Sequence, residues 1–427
     1  MRNKLIAFFL LLFITCQGVR GQLKTDTLQI KLQDAERMFL DSNLQLLAQR
    51  YNIDVQSALI IQAKLWPNPN FSFSRGPVIP VSAPGYPHSN FFNESENAAG
   101  LSQLILLAGK RNKQIKIAQA NTTLAQYQFF DLLRTLKYTL RTDFFNIYYL
   151  ERSARVYDAE IRALRQIVTA FDQQEGKGYI AEKEVVRIKA QLYSFQSEYN
   201  DLINQINDAQ SELRLVLQVK PDVFIDPMPD SIAIGSLDPA RYPLTTLMDS
   251  AYHNRTDLQI ARANTRINQL GLDYQQALAV PDLTLGLSYD EQGSYANNFT
   301  SVGVSMDLPV LNRNQGNIKS ARAQIANSRA LEQSVAATVA ENVSRSLQKA
   351  FAQDKLLRGI EPKFPADFDR LVNEVLINYQ KRNIGLLDFL DFYDAYKQNT
   401  LQLNSIKYNR VQAFEDLNYY TGTNFFN

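Results

Sequence analysis

The sequence predicts a mainly α-helical protein with a small β part, in which long coiled-coil helices carry β-hairpins. The 427 residues include only 17 Gly and 15 Pro, and neither type occurs between positions 112 and 175. One very long helix is therefore expected in that region. Short segments of alternating apolar and polar residues also occur as similar pairs in the two halves of the chain, which predicts two hairpins.

The charge balance gives no sign of a nucleic-acid partner. Lys plus Arg number 45 and Asp plus Glu number 43, which leaves a formal net charge of +2. A nucleic-acid-binding chain normally carries a basic patch or a strongly basic balance, and no basic block stands out in this sequence. We therefore expect no nucleic acid among the partners.

Residues 1–21 have the pattern of a secretory signal peptide. A basic start with Arg2 and Lys4 precedes an apolar stretch of roughly ten residues, which is too short to span a bilayer. Small residues before Gln22 favour cleavage at that position. The mature protein is therefore expected in the periplasm or beyond.

The single cysteine, Cys16, lies inside this segment and allows a second interpretation as a lipid-attachment site. The three residues before it, Phe13, Ile14 and Thr15, fit such a site poorly. If cleavage follows residue 21, the exported protein has no cysteine. Disulfides, thiolate metal sites and cysteine nucleophiles are then excluded.

The two halves of the chain contain the same parts in the same order. The repeat aligns "NLQLLA" at 43 with "DLQIAR" at 257, "AKLWPNPNFSFS" at 63 with "ALAVPDLTLGLS" at 277, "GKRNKQIKIAQA" at 109 with "NRNQGNIKSARA" at 312, and "YIAEKEV" at 179 with "NIGLLDF" at 383. It divides the chain into a first structural repeat at 22–220, a linker at 221–243 and a second repeat at 244–427. The linker is expected halfway along the long helices.

Each repeat begins with a helix that ends before a proline. Residues 34–65 and 244–280 are helical by composition, and Pro67 and Pro281 stop them where a strand begins. In the second repeat, apolar residues alternate with small polar ones over 283–289 and 302–308. The first repeat contains a less regular pair, which consists of the residues Phe71 and Phe73 followed by 101–107.

The alternation assigns the two faces of these strands. We expect the apolar set to face lipid and the intervening set to face a lumen or neighbouring strands; the apolar set is Val302, Val304 and Met306, and the other set is Ser301, Gly303 and Ser305. Two hairpins supply only four strands, which are too few to close a barrel. Open sheet edges are not tolerated in lipid, so several copies must share one barrel.

A helical hairpin follows the strands in each repeat. In the first, apolar residues recur at steps of three and four over 150–171 and again over 185–216, on either side of Gly176 and Gly178. This spacing is typical of heptad packing. The helices alone are also compatible with an ordinary coiled-coil protein. A soluble periplasmic coiled-coil adaptor would be one example.

The order of helix, hairpin, long helix and return helix, present twice, resembles the TolC family of outer-membrane efflux proteins. The stretches "LSQLILLAGKRNKQIKIAQA", "SMDLPVLNRNQGNIKSARA" and "PNPNFSF" are similar to those of the CzcC-like branch, which serves heavy-metal efflux of the RND type, although "LAGK" departs from the more usual "LGGK". The resemblance covers nearly all of the mature chain.

The resemblance implies a TolC-like α-helical barrel and a shared trimeric outer-membrane β-barrel. It implies a homotrimer in outer-membrane lipid that extends into the periplasm and docks to a periplasmic adaptor (a membrane fusion protein) and an inner-membrane RND pump. The function expected is that of an exit duct for a tripartite efflux system, with metal cations among the possible substrates. The outer-membrane duct of a type I protein secretion system is the alternative within this fold.

The resemblance also places a periplasmic gate at the tip of the second helical hairpin. Tyr379, Asp388 and Asp391 fall where the family has its gate, and Glu184 has the position of Asp388 in the first repeat. Asp388 and Asp391 are three residues apart and therefore share one helical face. In a trimer they would form rings of carboxylates that favour cations.

Glycines mark the hairpin tips. Gly178 matches the tip glycine of the family, Arg382 replaces it in the second repeat, and Gly385 completes the predicted tip turns. The Gly176-Lys177-Gly178 sequence is no phosphate-binding loop, because no strand precedes it.

The sequence offers no catalytic centre. The only histidines, His88 and His253, lie in unrelated settings, and no phosphate loop or nucleophile elbow occurs. Clustered His, Met or carboxylate residues with metal-ligand spacing are absent too. We therefore expect neither enzyme activity nor a cofactor or metal site.

Overall fold

The computed structural model describes residues 26–76, 96–230, 234–291, 295–361, 363, 370–371, 374–379, 381 and 383–426. Several sequence predictions concern residues outside these ranges. They are the signal peptide at 1–21 with Cys16, the loop containing His88, and the substitution of the tip glycine by Arg382.

The chain folds into eight long or medium helices and six strands within the described residues. In chain order these elements are β1 (Asp26–Lys31), α1 (Leu32–Ser42), α2 (Leu44–Lys64), β2 (Asn70–Gly76), β3 (Glu96–Ile105), α3 (Lys110–Glu175), α4 (Glu182–Leu217), β4 (Val223–Met228), α5 (Leu244–Asn254), α6 (Thr256–Leu278), β5 (Leu283–Asp290), β6 (Phe299–Met306), α7 (Gln315–Arg358) and α8 (Leu386–Thr421). Residues 374–379 are also helical.

The longest element, α3, contains 66 residues, and at 1.5 Å per residue it extends for about 100 Å. It contacts α2, α4, α6 and α8, so the other helices are arranged along it. Its N-cap residue, Gly109, has a left-handed backbone with φ 67°. Its C-cap residue, Gly176, keeps the right-handed helical conformation. This single helix connects the β-sheet at one end of the molecule with the hairpin tip at the other.

The first helix of each repeat is interrupted, whereas the sequence predicted one continuous helix in each. Asn43 separates α1 from α2 and has an extended backbone; its side-chain oxygen accepts a hydrogen bond from Leu46 N at 3.0 Å, and its amide nitrogen donates to Val216 O at 2.9 Å. Arg255 has the same extended conformation between α5 and α6. The Asn43 side chain thus caps the new helix α2 and also binds the distant helix α4, which accounts for the break at Asn43.

A small parallel sheet occupies the middle of the structure, and the sequence did not predict it. Strand β1 pairs with β4, with Leu28 opposite Ile225. Gln210 fixes β4 to α4, because its amide donates to Ile225 O at 2.6 Å and accepts from Ile225 N at 3.0 Å. The region predicted as a linker therefore contains a strand.

The second sheet has four antiparallel strands in the order β2-β3-β5-β6. Phe71 lies opposite Leu101 in the first hairpin, and Leu285 lies opposite Val304 in the second. Leu101 also lies opposite Leu287, so the apolar residues of all four strands share one face. The other face carries mainly small and polar residues, with Leu104 as an exception.

The helices bury three apolar clusters along their length. One lies near the hairpin tip between α3, α4 and α8, with Phe195 and Phe389 fully buried. The second surrounds Phe144 in the region of the small sheet, and the third surrounds Phe414 between α5, α7 and α8. No helix in the described ranges combines the length and the apolar character that crossing a membrane requires.

Candidate functional site

The tip of the first helical hairpin ends α3 with a specific turn. Gly178 N donates to Glu175 O at 2.7 Å, and Tyr179 N donates to Gln174 O at 2.9 Å. Gly178 has φ 75°. This pair of bonds with a left-handed glycine is the Schellman arrangement that satisfies the last carbonyls of a helix, so Gly178 lies in the turn between α3 and α4.

The tip of the second helical hairpin contains one of these two backbone hydrogen bonds, the one that spans five residues. Asn383 N donates to Asn378 O at 2.9 Å, with the same spacing of five residues. Gly385 is the N-cap of α8 with φ −75° and ψ 162°, a conformation that any residue can adopt. Gly385 therefore begins a helix and requires no left-handed backbone.

Aromatic rings join the second tip to the long helix. The Tyr379 ring is stacked on the Phe389 ring, with centroids 4.4 Å apart and an angle of 18° between the planes. Phe171 of α3 lies 6.1 Å from Tyr379, and Tyr393 lies 4.4 Å from Phe389. Such ring pairs add to the apolar burial and hold the start of α8 against α3.

Tyr379 and Glu184 lie close together in this cluster. Burial and the negative charge of Glu184 raise the pKa of Tyr379 to about 12. The phenol is therefore protonated at physiological pH and can donate a hydrogen bond. Glu184 is half-buried and is the third residue of α4.

Asp388 and Asp391 are exposed on α8. Asp388 is the third residue of its helix, as Glu184 is of α4, so the two repeats place a carboxylate at the same helical position. No hydrogen bond or ion pair connects either aspartate with another residue in the described part of the chain. The structure thus brings Tyr379 and Glu184 together and leaves both aspartates facing solvent.

A buried charged cluster lies further along the same helices, and its residues were not among those predicted from the sequence. Lys397 on α8 is 1% exposed, and its Nζ atom lies 2.7 Å from Glu198 Oε2 and 3.0 Å from Asp394 Oδ1. Lys397 follows Phe389 and Tyr393 at steps of four residues. A lysine on an apolar helical stripe was the signal that could have revealed the cluster.

Glu160 on α3 belongs to this region too. It is buried, and its Oε2 atom has no hydrogen-bond partner among the described residues. Burial raises the pKa of Glu160 to about 8, although the charge of Lys397 lowers it. A protonated, neutral carboxyl at physiological pH follows from this environment.

The strand residues predicted to face lipid lie at the opposite end of α3. Val302 is 80% exposed and Val304 is 65% exposed, and Met306 is exposed as well. They lie opposite Leu287, Leu285 and Leu283 of β5, so they belong to the continuous apolar face of the sheet. Both faces of the sheet are exposed in a single chain, because few other residues contact it.

Residues that could ligate a metal are scattered in the described part of the chain. No group of three or more His, Cys, Asp or Glu residues with suitable positions occurs in the part of the chain that the structure describes. His253 has its Nδ1 atom 3.0 Å from Asp249 O within its own helix. This contact gives it a local structural role.

Residues 37–217 match the family model described as outer membrane efflux protein. A curated relative, the cobalt-zinc-cadmium resistance protein CzcC of Cupriavidus metallidurans, is 23% identical over 390 residues. That alignment covers 89% of this chain and 85% of CzcC. The similarity therefore extends beyond the matched segment into the second repeat.

Solved structures with the same fold include several outer-membrane channels. CusC has a TM-score of 0.74 at 14% identity, and the alignment covers 96% of each chain. The Campylobacter jejuni CmeC outer membrane channel has a TM-score of 0.73 at 15% identity, with 92% of this chain and 86% of CmeC covered.

The Neisseria gonorrhoeae MtrE outer membrane channel, solved in its open state, has a TM-score of 0.69 at 17% identity, with 92% of this chain and 89% of MtrE covered. At such identities these likenesses concern the fold, and they agree with the family match and with the CzcC similarity. The chain therefore has a TolC-like fold of long helices and two hairpins, and its residues 37–217 match the outer membrane efflux protein family.

Proposed function

We propose that three copies of this chain form the outer-membrane exit duct of a tripartite efflux system. One observation carries the proposal: a four-stranded antiparallel sheet with an apolar face stands at one end of a helical column about 100 Å long. The outer edges of β2 and β6 have no strand partner among the described residues. Three copies would supply about twelve strands, a number that membrane barrels commonly use.

The helical part supports the tunnel of this duct. Within one chain, α4 and α6 lie beside the much longer α3, and α7 lies beside α6. The two shorter helices together have 59 residues, from 36 in α4 and 23 in α6, close to the 66 of α3. A wall of nearly uniform height results, and it would surround a periplasmic passage when copies associate.

The protein itself performs no chemistry in this proposal. Its task is to conduct what a periplasmic adaptor and an inner-membrane RND pump deliver. The adaptor would bind the outside of the helical hairpins, and the pump would supply the energy. The signal peptide predicted from the sequence would direct the chain to this compartment.

The hairpin tips form the periplasmic constriction in this proposal. Asp388 and Asp391 are exposed and without a partner among the described residues, so they are available to face a shared axis. Tyr379, which is stacked on Phe389, and the half-buried Glu184 near it would support the tip. A ring of carboxylates at a narrow entrance favours cations over anions.

The relative's name suggests a substrate class. CzcC is named as a cobalt-zinc-cadmium resistance protein, so divalent metal cations are the proposed cargo. The cargo would pass through without tight coordination. This proposal concerns the substrate and is separable from the duct function itself.

Three measurements test the proposal. The protein extracted from outer membranes in detergent should have the mass of a trimer, and it should form ion-conducting pores in planar bilayers. Deletion of its gene should sensitise the host to Co²⁺, Zn²⁺ or Cd²⁺, and the intact gene should restore tolerance. A stable monomer recovered from the soluble periplasmic fraction would refute the duct, whereas unchanged metal tolerance would refute only the substrate assignment.

A further inference from the structure

The contact between α3 and α4 has an internal counterpart in the contact between α7 and α8. The sequence repeat aligns residue 109 with 312 and residue 179 with 383, so α3 corresponds to α7 at an offset of 203 and α4 to α8 at an offset of 204. Equivalent positions are buried in both contacts: Leu140, Phe144 and Ala209 in the first, and Val343, Leu347 and Ala413 in the second. The polar residues of the two contacts can therefore be compared position by position.

The contact between α7 and α8 contains an ion pair. Lys349 Nζ of α7 lies 2.8 Å from Asp416 Oδ2 of α8, and Tyr138 of α3 donates to the other oxygen of this carboxylate at 2.6 Å. About one turn before Lys349, the buried Ser346 donates its hydroxyl to Val343 O at 3.0 Å. The Asp416 carboxylate is thus compensated by an ammonium group from the neighbouring helix.

The equivalent positions between α3 and α4 carry two carboxylates and no ammonium. Glu212 of α4 has the position of Asp416, and Asn146 of α3 has the position of Lys349, so a neutral amide replaces the cation. Asp143 of α3 has the position of the buried serine, so a second acid replaces a hydroxyl. Relative to the second repeat, this contact lacks one positive charge and has one additional negative charge.

Asp143 is buried, and one of its oxygens has no partner. The residue is 9% exposed, and its Oδ2 atom has no hydrogen-bond partner among the described residues. Burial and the negative charge of Glu212 raise the pKa of Asp143 to about 7, so the two carboxylates are close enough to repel each other. Such a pair favours either a bound proton or a bound cation.

Further oxygen-bearing side chains surround Asp143. Asn146 follows it by three residues, so the two side chains share one face of α3. Neither Asn146 nor Glu212 forms a side-chain hydrogen bond or ion pair with another described residue. Tyr408 of α8 is also near, because burial and the charge of Asp143 raise the pKa of this tyrosine to about 12. Asp143 therefore lies between oxygen atoms supplied by α4 and by α8.

We propose that Asp143 and Glu212 bind one hard divalent cation, with Ca²⁺ the expected ion, at the contact between α3 and α4. The two carboxylates neutralise its charge, and the amide oxygen of Asn146 and water molecules complete its coordination, because such ions prefer oxygen ligands. The ion takes the place that the ammonium of Lys349 has in the second repeat. A set of two carboxylates and one amide is compatible with the absence of larger acidic or histidine groups in the described ranges.

The ligands distinguish this ion from the proposed cargo. Carboxylate, amide and water oxygens suit Ca²⁺, Mg²⁺ and Mn²⁺, whereas imidazole and thiolate ligands suit Zn²⁺ and the later transition metals. Side chains from two helices, one of them exposed, suit the flexible geometry of Ca²⁺ better than the strict octahedron of Mg²⁺. The ion is therefore a structural part of the helical wall, which it stabilises because it binds the folded state.

Thermal unfolding in detergent tests the site. The starting protein carries Asp388→Asn and Asp391→Asn, because the exposed tip carboxylates are also expected to attract cations. Ca²⁺ added after treatment with a chelator should raise its unfolding temperature, and Asp143→Asn or Glu212→Gln should each abolish this rise. Asp201→Asn is the control and should keep the full rise, because Asp201 is exposed elsewhere on α4. A rise that is the same in all of these variants would overturn the site.

The internal repeat provides a second test that removes no carboxylate. Asn146→Lys gives the first repeat the lysine of the second. It should raise the unfolding temperature of the ion-free protein and abolish the response to Ca²⁺, because the ammonium then occupies the site of the ion. Asn146→Gln is the matched control, since it keeps a neutral amide, and it should retain most of the response. A full Ca²⁺ response in the lysine variant would contradict the proposal.

Counting bound ions tests the site directly. In equilibrium dialysis with radioactive Ca²⁺, Asp143→Asn should bind one ion fewer per chain than the starting protein. This variant keeps the shape of the side chain and removes a buried charge, so it is expected to fold. Equal numbers of bound ions in the two proteins would overturn the site, and a response to Zn²⁺ without any response to Ca²⁺ or Mg²⁺ would overturn the assignment of a hard cation.

The inference does not depend on the proposed duct function. A protein that forms trimeric pores but shows no Ca²⁺ response at Asp143 would refute this site and leave the duct intact. A protein that binds Ca²⁺ at Asp143 but forms no pores would refute the duct and leave this site intact.

Discussion

The ammonium group of Lys397 lies 2.7 Å from the carboxylate of Glu198, although Lys397 is almost completely buried in the helical core. The same ammonium lies 4.0 Å from the centroid of the Phe195 ring. Tyr157 donates to Glu198 at 2.9 Å, so the charges are compensated inside the cluster. Removing the cation alone leaves a carboxylate with an unpaired charge close to the core.

We predict that Lys397→Ala destabilises the hairpin by about 1.5–3 kcal/mol, the usual contribution of a hydrogen bond to a charged group, because the Glu198 side chain left behind is 37% exposed and can be hydrated. The measurement is the free energy of unfolding from denaturant titration. Arg162→Ala is the matched control, because Arg162 forms an exposed pair with Asp158 on α3, and such pairs contribute about 0–1 kcal/mol. Equal losses in the two variants would contradict the prediction.

Glu160 should make the stability of the helical hairpin depend on pH. Burial raises its pKa to about 8 in the folded protein from 4.5. The folded state therefore holds a proton that the unfolded state releases, and the stability contributed by this group is present below pH 4.5 and is lost as pH rises towards 8. Asp143 and Glu151, with pKa values raised by burial to about 7, act in the same direction.

The variant Glu160→Gln removes this titration. Its unfolding midpoint should exceed that of the unchanged protein at pH 8, and the difference should shrink towards pH 5. The control is Glu341→Gln, because Glu341 is exposed on α7. A difference that is constant from pH 5 to pH 8 would show that Glu160 does not titrate in this range.

Val304→Arg should impair membrane assembly if the apolar face of the sheet meets lipid. An arginine on the lipid side near the bilayer midplane costs about 2–4 kcal/mol. Ser305→Arg on the other face is the control, because its side chain points to the opposite side of the same strand. The measurement is the yield of assembled trimer in the outer membrane. Normal assembly of Val304→Arg together with failure of Ser305→Arg would reverse the assignment of the faces.

Much of this fold is predictable from the sequence because its signals are periodic. The absence of Gly and Pro predicted the long helix α3, and the period-two alternation predicted β5 and β6. The repeat then located the weaker first hairpin, and its offsets agree with the strand registers that place Phe71 opposite Leu101 and Leu285 opposite Val304. The hydrophobic periodicity of a helix or strand is strong where one of its faces is apolar along its whole length.

The missed features depend on contacts between distant segments. Strands β1 and β4 are short and pair across almost 200 residues, with Leu28 opposite Ile225. The apolar residues of β1 alternate with polar ones over a few positions only, and β4 has no alternating pattern. The break at Asn43 depends on Val216 of α4. The charged cluster around Lys397 combines three helices. Local patterns carry little information about such tertiary contacts.

The last prediction concerns the exposed carboxylates at the tip. Three copies each of Asp388 and Asp391 would bring up to six carboxylates together, where mutual repulsion favours a bound cation. In planar bilayers, Asp388→Asn combined with Asp391→Asn should lower cation selectivity and relieve block by divalent ions from the periplasmic side. Trimer assembly should be unchanged, because both side chains are exposed and have no partner among the described residues.

Glu184→Gln is the internal comparison for this variant. Glu184 has the same helical position in the first repeat but is half-buried beside Tyr379, so its effect on selectivity should be smaller and in the same direction. Removing its charge should also lower the pKa of Tyr379 towards 10, because Glu184 contributes to raising it. A double aspartate variant with unchanged selectivity and unchanged divalent block would show that these carboxylates are only a solvated face. Other residues of the tip would then form the constriction. In that case Glu184→Gln would lower the pKa of Tyr379 without changing ion conduction.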